Sequence, residues 1–128
     1  MTKQLRFGLN KEFEEFPCGM VEHDEDAFAA GLRELEEETG YRVLDKRCVH
    51  YLGKFAANPA FMSNYMHYLH VNLDWASYEE VPTKLDEHEH LTSYWVPKSD
   101  AKLNFLQSNG SSLMGGAWML IMNNKICQ

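Results

Sequence analysis

The carboxylates best placed to do chemistry in this chain of 128 residues are concentrated in one segment. Residues 19–41 hold eight acidic side chains in 23 positions. If the segment is helical, with about 100° between successive residues, Glu34, Glu37 and Glu38 share an arc of roughly 100°. Like charges four residues apart destabilise an isolated helix, so this ridge lowers the stability of the helix. It is typical either of a plain acidic face or of a site for Mg²⁺ or Mn²⁺, which prefer oxygen ligands.

A helix has to present this ridge, and its limits are marked in the sequence. Phe28, Leu32 and Leu35 fall within about 60° on the other side, which predicts a buried apolar face. The acidic residues 24–26 predict its beginning, because anions at the first turn satisfy free backbone amides. Gly40 predicts its end, since glycine readily adopts the left-handed conformation found just beyond a last turn.

The rest of the chain predicts one mixed α/β domain over residues 1–128. Runs rich in β-branched and aromatic residues predict strands, at residues 3–7, 12–19, 41–55, 64–73 and 92–96. Residues 99–109 and 111–125 predict two helices, the second weakened by Gly115 and Gly116.

Composition excludes several classes of protein. A net charge of -7 argues against general binding of DNA or RNA backbones. Three cysteines, Cys18, Cys48 and Cys127, have neither a disulfide framework nor paired zinc-ligand spacing. No signal segment is recognisable, and no run approaches the roughly 18 apolar residues of a membrane span. These features predict a soluble cytoplasmic protein that acts neither on nucleic acid nor in a membrane.

The acidic segment resembles a known family motif. From Gly19 it reads G-x5-E-x7-R-E-L-x-E-E-x-G-Y, through Gly19, Glu25, Arg33, Glu34, Leu35, Glu37, Glu38, Gly40 and Tyr41. This is similar to the Nudix box, in which every defined position is filled, with an aromatic residue at the terminal apolar position. The resemblance implies the Nudix fold, an α/β/α sandwich around a mixed β-sheet. It also implies hydrolysis of a nucleoside diphosphate linked to another group.

Two flanking segments narrow the resemblance to one subgroup. Residues 5–22, LRFGLNKEFEEFPCGMVE, and residues 85–97, LDEHEHLTSYWVP, look like the corresponding parts of ADP-ribose and ADP-sugar pyrophosphatases. The implied reaction splits ADP-ribose or another ADP-sugar into AMP and a sugar phosphate. The subgroup usually has further strands before its arginine-containing one, and some members exchange them in a dimer. This chain begins close to that arginine, Arg6, so we expect an N-terminally short fold and a possible homodimer.

The resemblance assigns roles within the box. Glu34 and Glu38 are implied as ligands of Mg²⁺, with Mn²⁺ as an alternative. Glu37 is implied as a further ligand or a catalytic group, and the main-chain carbonyl of Cys18 as completing the metal site. Arg33 is expected to pair with Glu37 or a nearby carboxylate and to hold the ridge in shape.

Two carboxylates outside the box are implied to act with the ridge. Glu87 is the expected general base and Glu89 the expected additional ligand, although their order could be reversed. The alternative is that this loop is only a solvated turn. His88 and His90 are expected to be surface residues rather than ligands.

Three residues are candidates for substrate binding. The guanidinium of Arg6 suits phosphate oxygens, although a surface ion pair explains it equally well. Glu15 is expected either to accept a hydrogen bond from the nucleoside or to lie on a strand edge. Phe61 is a candidate for stacking on a base.

Three rival functions differ from hydrolysis of an ADP-sugar. The first is hydrolysis of another nucleotide, such as a nucleoside triphosphate or a dinucleotide. The second is a nucleotide-binding module that keeps the fold without turnover, which the complete set of box carboxylates disfavours. The third, an acidic interaction domain without a ligand, would require the motif to be coincidence.

Overall fold

A computed structural model describes residues 1–87, 89–97, 99–100 and 112–123 of the protein. Its strands are β1 (Thr2–Arg6), β2 (Lys11–Glu15), β3 (Tyr41–Val43), β4 (Val49–Ala56), β5 (Tyr65–Val71), β6 (Tyr78–Glu80) and β7 (Leu91–Ser93). Its helices are α1 (Ala27–Thr39) and α2 (Ser112–Asn123). This is the mixed α/β composition that the sequence predicts.

The strands pair in three antiparallel groups. Strand β1 lies between β2 and β7, while β3 pairs with β6 and β4 pairs with β5. In the first group Thr2 lies opposite both Glu15 and Ser93. Strand β1 therefore brings the segment before α1 and the segment after the acidic loop into one sheet.

The two helices lie on opposite faces of the β4–β5 ribbon. A Cβ on Gly31 of α1 would lie 3.1 Å from Leu69 Cδ1, whereas a Cβ on Gly116 of α2 would lie 3.2 Å from the Tyr68 hydroxyl oxygen. Successive residues of a strand point to opposite faces, so Tyr68 and Leu69 meet different helices. Helix, strands and helix thus form the layers of the predicted α/β/α sandwich.

Helix α1 has well-defined ends. Asp26 is the N-cap, and its carboxylate accepts a hydrogen bond from Ala29 N–H at 2.8 Å. Gly40 ends the helix with φ 75°, and its N–H donates to Glu36 O at 2.8 Å. The predicted end is confirmed, but of residues 24–26 only Asp26 caps the helix. Glu25 instead pairs with Arg33, at 2.7 Å from Nη2, because the helix begins after it.

Several strand boundaries differ from the expectation. The strand predicted over residues 41–55 is interrupted by a 3₁₀ turn at Lys46–Cys48, because the Asp45 side chain accepts from Arg47 N–H and caps that turn. The predicted strand at 92–96 is Leu91–Ser93, and β6 was not predicted. The helix predicted at 99–109 lies almost entirely outside the described residues, whereas the last predicted helix is present as α2.

Buried apolar side chains come from four elements. Ala30 on α1, Val49 on β4, Leu91 on β7 and Met114 on α2 are all buried. Leu91 directly follows the loop that carries Glu87 and Glu89, so burial fixes one end of that loop. Within the described part of the chain, no helix has the length and apolarity that crossing a membrane requires.

Candidate active site

Glu38 is the most deeply buried carboxylate of α1. Its exposed fraction is 4%, on a helix whose only other buried side chain is Ala30. The Cys18 backbone N–H donates a hydrogen bond to Glu38 Oε2 at 3.3 Å. Burial raises the pKa of the Glu38 carboxyl to about 7, and the negative charges of Glu34 and Glu89 act in the same direction.

The segment before α1 also packs against the carboxylate of Glu34. A Cβ on Gly19 would overlap the Glu34 carboxylate, so the backbone at this position lies directly against that group. Burial also raises the pKa of Glu34, although the hydrogen bond from Arg33 opposes this shift. Residue 18 therefore contacts Glu38 and residue 19 lies against Glu34, which together with Glu37 form what we call the carboxylate ridge.

Arg33 connects the ridge to the rest of the box. Its Nη1 donates to Glu34 Oε1 and to Glu37 Oε2, each at 2.9 Å. Its Nη2 donates to Glu25 Oε1 at 2.7 Å and to the Met20 carbonyl at 2.9 Å. These partners raise the pKa of Arg33 well above its usual value, with Glu25 contributing most, so it remains a fixed cation. Arg33 thereby holds three carboxylates of the motif around one planar group.

The donor set of the ridge suits a hard divalent cation. Burial raises the pKa of both Glu34 and Glu38, so it disfavours the charged form of each carboxylate. A bound cation would stabilise these charged forms, and oxygen ligands are those that Mg²⁺ and Mn²⁺ prefer. In the described ranges no three His, Cys, Asp or Glu side chains are already grouped as a metal site.

The acidic loop, residues 85–90, lies close enough to the ridge to act on it electrostatically. Its described part includes a turn in which Glu89 N–H donates to Asp86 O at 2.9 Å, and Asp86 N–H donates to Glu89 Oε2 at 3.1 Å. The charge of Glu89 contributes to the raised pKa values of Glu34 and Glu38. Glu87 and His90 are exposed, whereas His88 lies outside the described residues.

The candidates for substrate binding fall in two places. Arg6 donates to Glu15 Oε2 from Nε at 2.9 Å and from Nη2 at 2.6 Å, which is the ion pair weighed as the alternative. The charge of Arg6 also lowers the pKa of Glu38, so this pair lies near the ridge. Phe61 is 87% exposed, in a turn where its N–H donates to Asn58 O at 3.0 Å.

One group of charges near the site was not predicted. The Glu36 carboxylate accepts hydrogen bonds from Arg42 at 2.9 Å and 3.0 Å and from Lys84 at 3.2 Å. These contacts lower the pKa of Glu36 to about 2, chiefly through Arg42. The only sequence signal is a glutamate at an unspecified position of the box, and it does not identify partners 6 and 48 residues away.

Comparison with known proteins supports the motif. The NUDIX domain profile matches residues 1–114 of the chain. An ADP-ribose pyrophosphatase from Bacillus subtilis (strain 168) is 36% identical over 104 residues, which are 79% of this chain and 52% of that protein. A mouse (Mus musculus) ADP-sugar pyrophosphatase is 50% identical over 42 residues, 33% of this chain and 19% of the relative.

Two further proteins are similar to the chain, one in sequence and one in structure. A methanol dehydrogenase activator from Bacillus methanolicus is 40% identical over 67 residues, 52% of this chain and 35% of the relative. The chain therefore spans about half or less of the curated relatives that it matches. A crystal structure of an ADP compounds hydrolase superposes with a TM-score of 0.78 at 20% identity, covering 94% of this chain and 62% of that chain. The fold, and a profile match along most of the sequence, establish that the chain belongs to the NUDIX domain family.

Proposed function

We propose that the protein hydrolyses the pyrophosphate bond of a nucleoside diphosphate derivative, in a reaction that depends on a divalent cation. The proposed substrate is ADP-ribose or another ADP-sugar, and the products are AMP and a sugar phosphate. Two relatives named ADP-ribose pyrophosphatase and ADP-sugar pyrophosphatase support this substrate class. The proposed cation is Mg²⁺, with Mn²⁺ as a substitute.

The observation that carries the proposal is the burial of Glu38 within the carboxylate ridge, where the backbone of residues 18 and 19 lies against Glu38 and Glu34. Burial of Glu38 in this cluster is unfavourable for its charged form unless a cation balances it. When bound, the cation would neutralise the oxygens of the pyrophosphate and lower the pKa of the attacking water.

Each side chain has a proposed role that follows from its position. Glu34, Glu37 and Glu38 would hold the cation, with the Cys18 carbonyl and Glu89 as further ligands. Arg33 would keep the carboxylates of Glu34 and Glu37 oriented, as it does in the present contacts.

The general base is proposed to come from the acidic loop, with Glu87 first and Glu89 second. Both are exposed and therefore accessible to water, and the charge of Glu89 acts on Glu34 and Glu38. Arg6 and Glu15 would bind the substrate near the ridge, and Phe61 would stack on its base.

Charge and thiols support the proposed partner and location. A net charge of -7 favours a small nucleotide over nucleic acid as the ligand. Cys18 and Cys48 are free thiols, which suits a protein of the reducing cytoplasm. A homodimer remains a prediction, and light scattering of the purified protein tests it directly.

Product analysis tests the proposed function. Purified protein is incubated with ADP-ribose, an ADP-hexose, a nucleoside triphosphate and a dinucleotide, each with Mg²⁺, with Mn²⁺ or with EDTA. We expect AMP and ribose 5-phosphate from ADP-ribose only when a cation is present. Faster cleavage of the triphosphate or the dinucleotide would show that this nucleotide, rather than ADP-ribose, is the substrate. Saturable binding without any product would show that the protein binds the nucleotide without hydrolysing it.

A further inference from the structure

An ionic cluster lies at the C-terminal end of α1, on the side away from the carboxylate ridge. Glu36 accepts hydrogen bonds from Nε and Nη2 of Arg42 and from Nζ of Lys84. Arg42 also donates to Glu79 on β6 at 2.9 Å. The Glu36 side chain is only 19% exposed, although Lys84 is 62% exposed. Glu36 is therefore enclosed by two cations from other parts of the chain.

Backbone hydrogen bonds also join the C-terminal end of α1 to residues 81–84. Val81 N–H donates to Gly40 O at 2.8 Å, and Lys84 N–H donates to Glu37 O at 2.9 Å. Carbonyl groups at the end of a helix have no partner within the helix, so residues 81–84 satisfy groups that would otherwise need water. A Cβ on Gly40 would lie 2.5 Å from Val81 O, so the two backbones are in close contact.

The tethered segment leads directly into the acidic loop. Lys84 precedes residues 85–90, and the other end of the loop enters β7, where Leu91 is buried and pairs with Gln4. The loop is thus held at one end by α1 and at the other by the sheet of β1. Its length between these anchors is only six residues, so the anchor at Lys84 limits where Glu87 and Glu89 can lie.

An ion pair with one exposed partner, such as Lys84, contributes little to global stability, because water screens it. Its location has a different consequence, since Glu36 stands on the same helix as Glu34 and Glu38. The Lys84–Glu36 pair therefore adds a side-chain restraint to the backbone hydrogen bond from Lys84 N–H to Glu37 O, and together they fix the start of the loop relative to the helix that carries the ridge. Correct placement of a catalytic group affects rate strongly even when it adds little stability.

We propose that Lys84, held on Glu36, is a positioning residue that fixes the acidic loop beside the carboxylate ridge. This inference rests on the proposed function, because it assigns the placement of the loop carboxylates to an ion pair outside the metal site. Lys84 contacts neither substrate nor cation in this assignment. It acts through Glu87 and Glu89.

Steady-state kinetics with saturating Mg²⁺ test the proposal in four proteins: the wild type, Lys84→Gln, Lys84→Arg and Lys3→Gln. Lys3 is the matched control, since it forms a comparable exposed pair with Glu12 at 2.7 Å in the β1–β2 hairpin. We expect kcat for ADP-ribose to fall about three- to tenfold in Lys84→Gln, with KM within about twofold, as expected for misplacement of a catalytic group. Lys84→Arg should restore kcat because arginine retains the pairing charge, and Lys3→Gln should match the wild type.

Hydrogen exchange of residues 84–91 gives a second readout that does not depend on turnover. Exchange should accelerate about two- to fivefold in Lys84→Gln, the range that corresponds to loss of one exposed ion pair. It should be unchanged in Lys3→Gln and restored in Lys84→Arg.

The outcomes separate this inference from the proposed function. Equal kcat in Lys84→Gln and Lys3→Gln overturns the positioning role, whether or not exchange changes. Unchanged exchange in Lys84→Gln also overturns it. If the wild type cleaves no nucleotide, the proposed function fails together with the catalytic part of this inference, and exchange alone decides whether Lys84 fixes the loop.

Discussion

Glu38 combines burial and charge in a way that globular proteins seldom tolerate without compensation. Glu38 is 4% exposed, and it accepts a hydrogen bond from the backbone N–H of Cys18. Burial comes first among the causes that raise the pKa of its carboxyl to about 7. In the metal-free protein Glu38 should therefore be mainly neutral only below about pH 7, whereas cation binding should favour the carboxylate.

The first prediction concerns the stability of metal-free Glu38→Gln. Because the folded-state pKa is raised from 4.5 to about 7, the stability associated with neutral Glu38 is fully present below pH 4.5 and is lost as the pH rises through 7. Glutamine cannot ionise, so the variant should be more stable than the wild type at pH 8 by about 1–3 kcal/mol. Urea unfolding in EDTA at pH 5 and pH 8 measures this. An equal difference at both pH values would contradict the assigned pKa.

The second prediction concerns Gly19, whose missing side chain leaves room for the Glu34 carboxylate. A Cβ would overlap that carboxylate, so Gly19→Ala should displace it and raise the Mn²⁺ concentration for half-maximal activity by about tenfold. Gly8→Ala is the control, since a Cβ there meets nothing within 4 Å. Manganese titration of both variants tests the contact, and equal requirements for Mn²⁺ would show that the carboxylate does not need this space.

At the scale of elements, α1 positions the whole ridge, and its N-terminus depends on one side chain. The third prediction is that Asp26→Ala lowers the free energy of unfolding by about 1 kcal/mol, because Ala29 N–H loses its acceptor. Asp24→Ala should change it by less than about 0.5 kcal/mol, because this exposed residue lies before the helix and outside its cap. Urea denaturation in EDTA compares the two variants. Equal losses would mean that acidic residues 24–26 act by their charge rather than by capping.

The sequence could predict α1 and its ridge because both depend on local rules. Helical periodicity places Glu34, Glu37 and Glu38 together, and a terminal glycine marks where the helix ends. The break at Lys46–Cys48 could not be predicted in the same way, because it follows from the Asp45 side chain accepting from a nearby amide. Strand β6 has only three residues, too few for a periodic pattern to distinguish it from a loop.

At the scale of the whole molecule, the candidate site combines segments that are distant in sequence. The backbone of Cys18 reaches Glu38 across 20 positions, and Lys84 reaches Glu36 across 48. Pairing of β1 with both β2 and β7 brings the two flanking segments into one sheet. Resemblance to a family identified the carboxylates, but the contacts of Arg42 and Lys84 with Glu36 depend on tertiary packing. No motif records them, and only the folded chain reveals them.

The central claim is that one side of α1 binds a divalent cation, and direct Mn²⁺ binding tests it most simply. Electron paramagnetic resonance measures free Mn²⁺ in titrations of the wild type, Glu38→Gln and Glu36→Gln. Glu36 is the control for a carboxylate on the same helix that does not contact the cation, and its only expected effect is a small one through Lys84 and the loop that carries Glu89. The account predicts that Glu38→Gln weakens Mn²⁺ binding by at least about tenfold, while Glu36→Gln stays within about threefold of the wild type. Equal affinities of the wild type and Glu38→Gln would contradict the assignment of this ridge as the metal site.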